Sequence, residues 1–244
     1  MPDLLFADVQ LAALYDRMNS GRDDFNFYMP MVLAAGAVLD VGCGTGAMLH
    51  EARSAGHRGR LCGLDPAHGM LAQARNRTDV EWFLGDLSSV VWENDFDLIV
   101  MTGHAFQVLV EDDELRSALA AIRAALRKGG RFAFETRNPL ARAWETWDHE
   151  ACHIAHEPRG ASVRMTRRVV SPFDGRVVSF SHTFESDAWD QARVSHSTLR
   201  FLDKAALNRK LAQAGLSVEA QFGDWDRSLM TDTSPEIITI AGRM

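Results

Sequence analysis

Three features of this sequence predict an α/β fold, a mostly parallel sheet with helices on both faces. Apolar runs of strand length alternate with amphipathic stretches between residues 37 and 135. A glycine loop, Gly42-Cys43-Gly44-Thr45-Gly46, follows the first of those runs. Past Pro139 the pattern changes to short segments joined by turns, the mark of an inserted antiparallel block.

The elements follow in order. Residues 4–19 read as a helix whose broad apolar side carries Leu4, Leu5, Val9, Leu11, Ala12 and Leu14. A second helical stretch runs from near Asp24 to Ala35, capped by Asp23 or Asp24, and Pro30 is expected to kink or end part of it. Ala37 to Val41 is a strand, and Thr45 to Ser54 a helix stopped near Gly56. Arg60 to Leu64 is a strand, followed by a helix with Pro66 in its first turn. Val80 to Leu84 and Phe96 to Met101 are strands. Asp112 to Leu126 is a helix closed by Lys128-Gly129-Gly130, and Arg131 to Glu135 is the next strand. Residues 162–170, 176–185 and 191–201 read as three strands, with Ser171 to Gly175 as the clearest turn. Asp203 caps a helix from Lys204 to Ala214, and strands near Leu216 to Gln221 and Ile237 to Ala241 follow. The expected organisation is a single domain with a helical flap (1–35), a cofactor-binding core (36–138), an inserted lid (140–201) and a returning helix with core strands (202–244). The lid lies where it can cover the carboxyl edge of the sheet, the ligand-binding edge of open α/β folds.

The chain's 244 residues suit one large domain or a domain with a small lid. A net charge of −7 argues against nucleic acid as a partner. The nearest basic stripe, Arg164, Arg167 and Arg168, reads as a solvated strand face. No apolar run approaches the roughly 18 residues of a membrane span. Met1 to Phe6 carries no basic residue and does not read as a targeting leader. Cys43, Cys62 and Cys152 form no disulfide framework, which points to a reducing compartment. The expectation is a cytoplasmic protein, monomer or homodimer.

The glycine loop lets the backbone turn sharply and approach a ligand closely, and the helix after it offers free N–H groups. Gly42, Gly44 and Ala47 also satisfy the dinucleotide pattern G-x-G-x-x-A, so the loop by itself is ambiguous. Acidic residues after each strand break the tie. Asp40 precedes the first glycine by two residues; its charge would repel a pyrophosphate and attract an α-amino group. Asp65 ends the second strand, where an acid accepts both ribose hydroxyls. Asp86 follows the third strand and can accept an adenine amino group, with Leu87 placed to pack on the ring.

With these residues the sequence resembles the class I S-adenosylmethionine (SAM)-dependent methyltransferases. The resemblance rests on VLDVGCGTG at 38–46, GLDP at 63–66, GDL at 85–87, FDLIV at 96–100 and LRKGGRFAFE at 126–135. It covers 36–138 well and the last strands loosely. It implies a Rossmann-like seven-stranded sheet whose last strand is antiparallel. It also implies SAM as cofactor and S-adenosylhomocysteine as product. The methionine end is implied to lie on Asp40, Gly42, Cys43, Gly44 and Gly46. The ribose would lie at Asp65 and the adenine at Asp86 and Leu87, with Pro66, Met70, Thr102 and Gly103 also among the cofactor-binding residues. Related enzymes close an N-terminal helix over SAM, which makes Tyr15, and Tyr28 beside it, candidates for cofactor contact. The expected function is methyl transfer to an oxygen or nitrogen of a small molecule. The alternatives are a nicotinamide-dependent oxidoreductase and a catalytically silent SAM-binding protein.

A sulfonium methyl group is already activated, so the protein must mainly align the nucleophile and exclude water. A base is needed only for a protonated nucleophile. His104, in the segment after the fourth strand, is the candidate. That segment lacks the Asn/Asp-Pro-Pro-aromatic motif of enzymes that methylate nucleobase amino groups. Aromatics cluster in the lid at Trp144, Trp147, Phe173, Phe180, Phe184 and Trp189, with Trp225 later; most read as packing. The lid as a whole is expected to build the acceptor pocket while the cofactor needs nothing from it. His149-Glu150-Ala151-Cys152-His153 matches the zinc motif H-E-x-x-H. It lies between Pro139 and Pro158 with little room for a scaffold helix, and no metal site is expected. Cys43 reads as a small side chain that fits a tight loop rather than as a nucleophile.

Overall fold

The computed structural model describes residues 2–148, 153–156 (backbone only) and 160–243. Strand β1, Ala37–Val41, is buried along its whole length and pairs in parallel with β2, Arg60–Asp65, and β4, Phe96–Met101. A strand with neighbours on both edges and helices on both faces must be apolar throughout, which Ala-Val-Leu-Asp-Val satisfies except at Asp40. β3, Glu81–Leu84, extends one side of the sheet; β5, Leu126–Arg137, extends the other. Beyond β5 lie β11, Glu236–Arg243, and β10, Leu216–Phe222, giving the order β10-β11-β5-β4-β1-β2-β3. β11 runs antiparallel to both neighbours, as the resemblance implied.

Alternation along the strands divides the core. Leu39, Ile99, Phe132 and Phe134 face helices α7, Asp112–Ala125, and α8, Lys204–Gln213. Val38, Leu98, Val100 and Ala133 face α4, Asp23–Ala34, and α5, Ala47–Ser54. The same alternation puts Asp40 and Glu135 on the α4 side, at the carboxyl ends of their strands.

Several elements differ from the sequence reading. Residues 4–19 form three single turns, α1 (Leu4–Ala7), α2 (Val9–Ala12) and α3 (Tyr15–Met18), not one helix. The break is chemical: the Asp8 carboxylate accepts the N–H groups of Gln10 and Leu11 and starts a new helix. Pro30 does not end α4. Pro30 and Asn26, whose carbonyl loses its partner, are both exposed, while buried Phe27, Tyr28 and Val32 hold the helix on the sheet. Neither Asp23 nor Asp24 caps α4; both lie within its first turn, and Asp24 is paired with Arg22. α5 begins at Ala47, after Gly46 in a left-handed conformation, and α6 spans His68–Ala74, so Pro66 precedes its helix. α7 passes directly into β5, and Arg127 to Gly130 bulge out as the register jumps from Phe96↔Leu126 to Leu98↔Arg131.

Between β5 and α8 stands a second, antiparallel sheet of β6 (His153–His156), β7 (Ser162–Ser171), β8 (Val177–Glu185) and β9 (Arg193–Arg200). Trp144, Trp147, Phe180 and Phe201 pack with it at one end. At the other end Val163 and Phe184 pack on Leu5, Leu11, Leu14 and Met18 of the flap. Hydrogen bonds join the two, from Leu5 N–H to Ser195 Oγ (2.9 Å) and from Ser197 Oγ to Asp3 Oδ2 (2.5 Å). The flap's other side rests on α6, where a Cβ at Gly69 would lie 2.6 Å from Ala7 O. In the H-E-x-x-H run, residues 149–152 lie outside the described residues, and His153 opens β6. Among the described residues no group of three or more His, Cys, Asp or Glu could hold a metal, and no helix is long and apolar enough to cross a membrane.

Candidate active site

A small, partly open cleft lies at the carboxyl ends of β1 and β4. Its lining brings together Asp40, Gly42, Cys43 and Gly44 with Thr102 and Gly103, and Tyr15, Arg22 and Phe25 from the flap side. Asp40 is 1% exposed, and its Oδ1 has no hydrogen-bond partner. Burial pushes its carboxyl up to about 7; Arg22 opposes the shift, and Asp65, Glu135 and Asp24 add to it. A buried acid without a donor is costly, so the position asks for a cationic ligand.

Arg22 is the cation in this acidic surround. Its guanidinium is bidentate to Asp24 (2.9 and 2.5 Å) and lies 4.3 Å from the Phe25 ring centroid. Burial works against its charge, and the Asp24 pair outweighs burial, so the group stays charged. The sequence reading missed Arg22. The loop's own amides are mostly spent: Gly42 and Cys43 N–H donate to Leu64 O, Gly46 N–H to Cys43 O, and Gly44 N–H to Asp65 Oδ2. Ala47 and Met48, at the start of α5, line the cleft together with Arg22. Nothing in the sequence marks Arg22, because its position depends on how the flap docks.

Asp65 accepts Gly44 N–H on one oxygen and Ala67 N–H on the other, both at 2.8 Å. Burial raises its carboxyl, and these two bonds work against the rise. Each oxygen keeps a lone pair for a diol. Gly85 N–H donates to Asp65 O (3.0 Å), which ties the ends of β2 and β3 together. Asp86 is exposed and closes a turn by accepting Ser88 N–H and Oγ–H, bonds that lower its carboxyl. Leu87 is half-buried against the core, Pro66 is exposed, and Met70 is buried beneath the flap. None of these five lines the cleft itself. Gly46 is no contact surface either; its positive φ of 77° opens α5, and a Cβ there would lie 2.4 Å from the Trp82 ring. Cys43 lines the cleft as a buried free thiol that burial pushes well above its ordinary range. That thiol stays protonated, in keeping with a packing role.

Tyr15 is in the lining, but Tyr28 is not. Tyr28 is fully buried, and its hydroxyl donates to Glu135 Oε2 at 2.5 Å. The other oxygen of Glu135 accepts His104 N–H at 2.7 Å. That bond holds His104 at a φ of 63°, an uncommon conformation for a non-glycine residue. His104 Nε2 then meets Glu236 Oε1 at 3.0 Å. Burial drives the imidazole down to about 3 and the Glu236 carboxyl up to about 7. The group poised near neutrality is Glu236, not the histidine the sequence singled out. Glu236 lies 132 residues from His104 in the chain, so no local pattern pairs them.

Residues 38–130 match the family model described as a methyltransferase domain. Residues 38–130 are a class I, SAM-dependent methyltransferase domain. Over 105 residues the chain is 31% identical to the cypemycin N-terminal methyltransferase of a Streptomyces species, covering 42% of each protein. The chain spans only about a third to three-fifths of the length of the first curated relatives it matches. Solved structures align nearly end to end. The CcbJ methyltransferase from Streptomyces caelestis gives a TM-score of 0.76 at 19% identity, with 98% of both chains covered. SAM-bound CalS10 from Micromonospora echinaspora, an amino pentose methyltransferase involved in calicheamicin biosynthesis, gives 0.70 at 25% identity, covering 94% of this chain and 95% of its own. The methyltransferase domain's cofactor is SAM, and the cleft suits its amino-acid end: an acid for the ammonium, an arginine for the carboxylate.

Proposed function

We propose that this chain is an enzyme that moves the methyl group of SAM to an oxygen or nitrogen of a small-molecule acceptor. The observation that carries the reading is the unpartnered, buried carboxylate of Asp40 facing a cleft that also holds Arg22. SAM supplies a methyl group on a positively charged sulfur. Asp40, with Asp65, Glu135 and Asp24 near it, makes a field that favours such a cation and disfavours the pyrophosphate of a nicotinamide dinucleotide. Asp40 takes the ammonium, Arg22 the carboxylate, Asp65 the ribose diol and Asp86 the adenine amino group. Tyr15 and Phe25 close the cleft from the flap side and keep water out.

A protonated acceptor must lose its proton, and in this reading Glu236, whose carboxyl burial raises to about 7, receives it through its bond with His104. With Nε2 bound to the Glu236 carboxylate, the His104 lone pair sits on Nδ1, and the proton it takes is shared by the pair. Ionised Glu236 favours that uptake, so the pair works above about pH 7, where burial has placed its carboxyl. CalS10, an amino pentose methyltransferase, supports a small polar acceptor. The buried free thiols of Cys43 and Cys62 support a reducing, cytoplasmic setting.

Calorimetry with SAM, S-adenosylhomocysteine and NAD(H), followed by a SAM-turnover screen over a metabolite library, tests the reading. Binding of SAM and its product with turnover of a small molecule is expected. Tight NAD(H) binding without a response to SAM would overturn it, and SAM binding without turnover of any acceptor would favour a silent binding protein.

A further inference from the structure

Arg167 occupies an inward-facing position of β7, in step with Val163, Met165 and Val169, whereas Arg164 and Arg168 are exposed. A charged residue on the packed face of a lid calls for a reason. Its guanidinium lies 5.1 Å from the Trp147 ring centroid, and Arg137, from the end of β5, lies 5.3 Å from the same ring. Two like charges thus share one indole. Most buried or half-buried arginines here hold a carboxylate: Arg22 holds Asp24, Arg60 holds Glu81 and Arg200 holds Asp112. Among the described residues neither Arg137 nor Arg167 has a carboxylate oxygen within 4.0 Å. Arg137 donates to Gln107 Oε1 at 3.0 Å and Arg167 to Trp147 O at 3.4 Å, both neutral acceptors.

Neither arginine lines the cleft at Asp40, but Arg137 lies close to the groups around the His104 turn. Arg137 is near enough to His104 to help hold the imidazole neutral, and near enough to Tyr15, Glu135 and Glu236 to feel their charge. Burial lowers both guanidinium groups, and Arg167 lowers Arg137 further. Glu236 and Glu135 oppose this at Arg137, and burial raises both of those carboxyls. Among the described residues the pair holds no carboxylate oxygen within 4.0 Å, and two guanidinium groups on one indole suit an oxyanion.

We infer that Arg137 and Arg167, set on Trp147, bind a carboxylate or phosphate group of the methyl acceptor and so select anionic small molecules. The inference rests on the methyl-transfer reading for what the anion belongs to, but the anion site can be tested alone. The probes are inorganic phosphate and acetate, titrated separately, and the readout is the indole N–H NMR signal of Trp147, assigned with Trp147→Phe. Either anion should shift that signal saturably in the wild-type chain. Arg167→Gln should weaken the binding about tenfold or more, the loss of one charge-assisted contact, and Arg137→Gln should do the same. Calorimetry with S-adenosylhomocysteine checks that each variant is folded, and Arg167, being half-exposed, is the safer of the two. Phosphate alone as a ligand supports a phosphorylated acceptor, and acetate binding as well supports a carboxylate. Absence of a saturable shift with both anions, or binding that survives both substitutions, overturns the inference. A failure of the methyl-transfer reading looks different: anion binding stays while SAM and its product do not bind.

Discussion

On the cofactor side of the cleft, Asp40 and Asp65 stand at the ends of neighbouring parallel strands, fixed by the register Asp40↔Gly63 and Val41↔Leu64. Their supports are backbone amides of the loops that follow those strands. On the side proposed for the acceptor, each group comes from a different part of the chain. His104 comes from the turn after β4, Arg137 from the end of β5, Arg167 from the lid and Glu236 from the last strand. These groups are held by side-chain bonds and by packing between flap and lid. A site written in one strand-loop-helix unit tolerates changes elsewhere. A site assembled from four places depends on every contact that docks them.

Whether the two sides are independent is decided at the lid. The sequence expectation is that the cofactor needs nothing from residues 140–201, and the packing of flap on lid gives a way to test it. The flap that carries Tyr15 is packed on Val163 and Phe184 of the lid. Phe184→Ala, at a fully buried position, should cost about 3–5 kcal/mol in denaturant unfolding. It should also weaken SAM, although Phe184 does not line the cleft. Unchanged SAM affinity would restore the two sides as separate modules.

Asp40→Asn sharpens the cofactor side alone. It removes a charge-assisted contact worth about 1.5–3 kcal/mol, so SAM affinity should fall by roughly ten- to a hundredfold in calorimetry. The protein without ligand should become more stable, because an uncompensated buried carboxylate has gone. A loss of both affinity and stability would mean that Asp40 is structural.

The scaffold under the acceptor side is tested by Tyr28→Phe. Removing the hydroxyl leaves Glu135 Oε2 without its donor, at a cost of about 1–3 kcal/mol. Because Glu135 also holds the His104 backbone, turnover should fall while SAM affinity holds. Equal losses in both would erase the distinction between the two sides.

The smallest effect is in pH dependence. The unfolded Asp40 ionises near 3.8 and the folded one near 7, so without ligand this group's contribution to stability falls as pH rises across that window. Ligand binding uses the ionised form. SAM affinity should therefore drop about tenfold per pH unit below about 7 and be level just above it. Glu236→Gln should leave that binding profile in place and abolish any rise of kcat through about pH 7. If the substitution moves the SAM-binding profile instead, Glu236 belongs to the cofactor side.

What was legible in the sequence follows from the same contrast. The strand runs, the glycine loop and the acids at 40, 65 and 86 are local patterns, because parallel strands and the loops after them impose periodicity and residue type within a few positions. By itself the sequence determined the α/β sheet with its antiparallel insertion, the methyltransferase family and the cofactor. Only the tertiary structure decided that residues 4–19 are three turns, that Arg22 joins the glycine loop in lining the cleft, and that Glu236 sits against His104. It also separated Arg167, facing the packed side of the lid, from the exposed Arg164 and Arg168 beside it. These are contacts between segments far apart in the chain, set by which faces pack together, and no spacing within one segment encodes them.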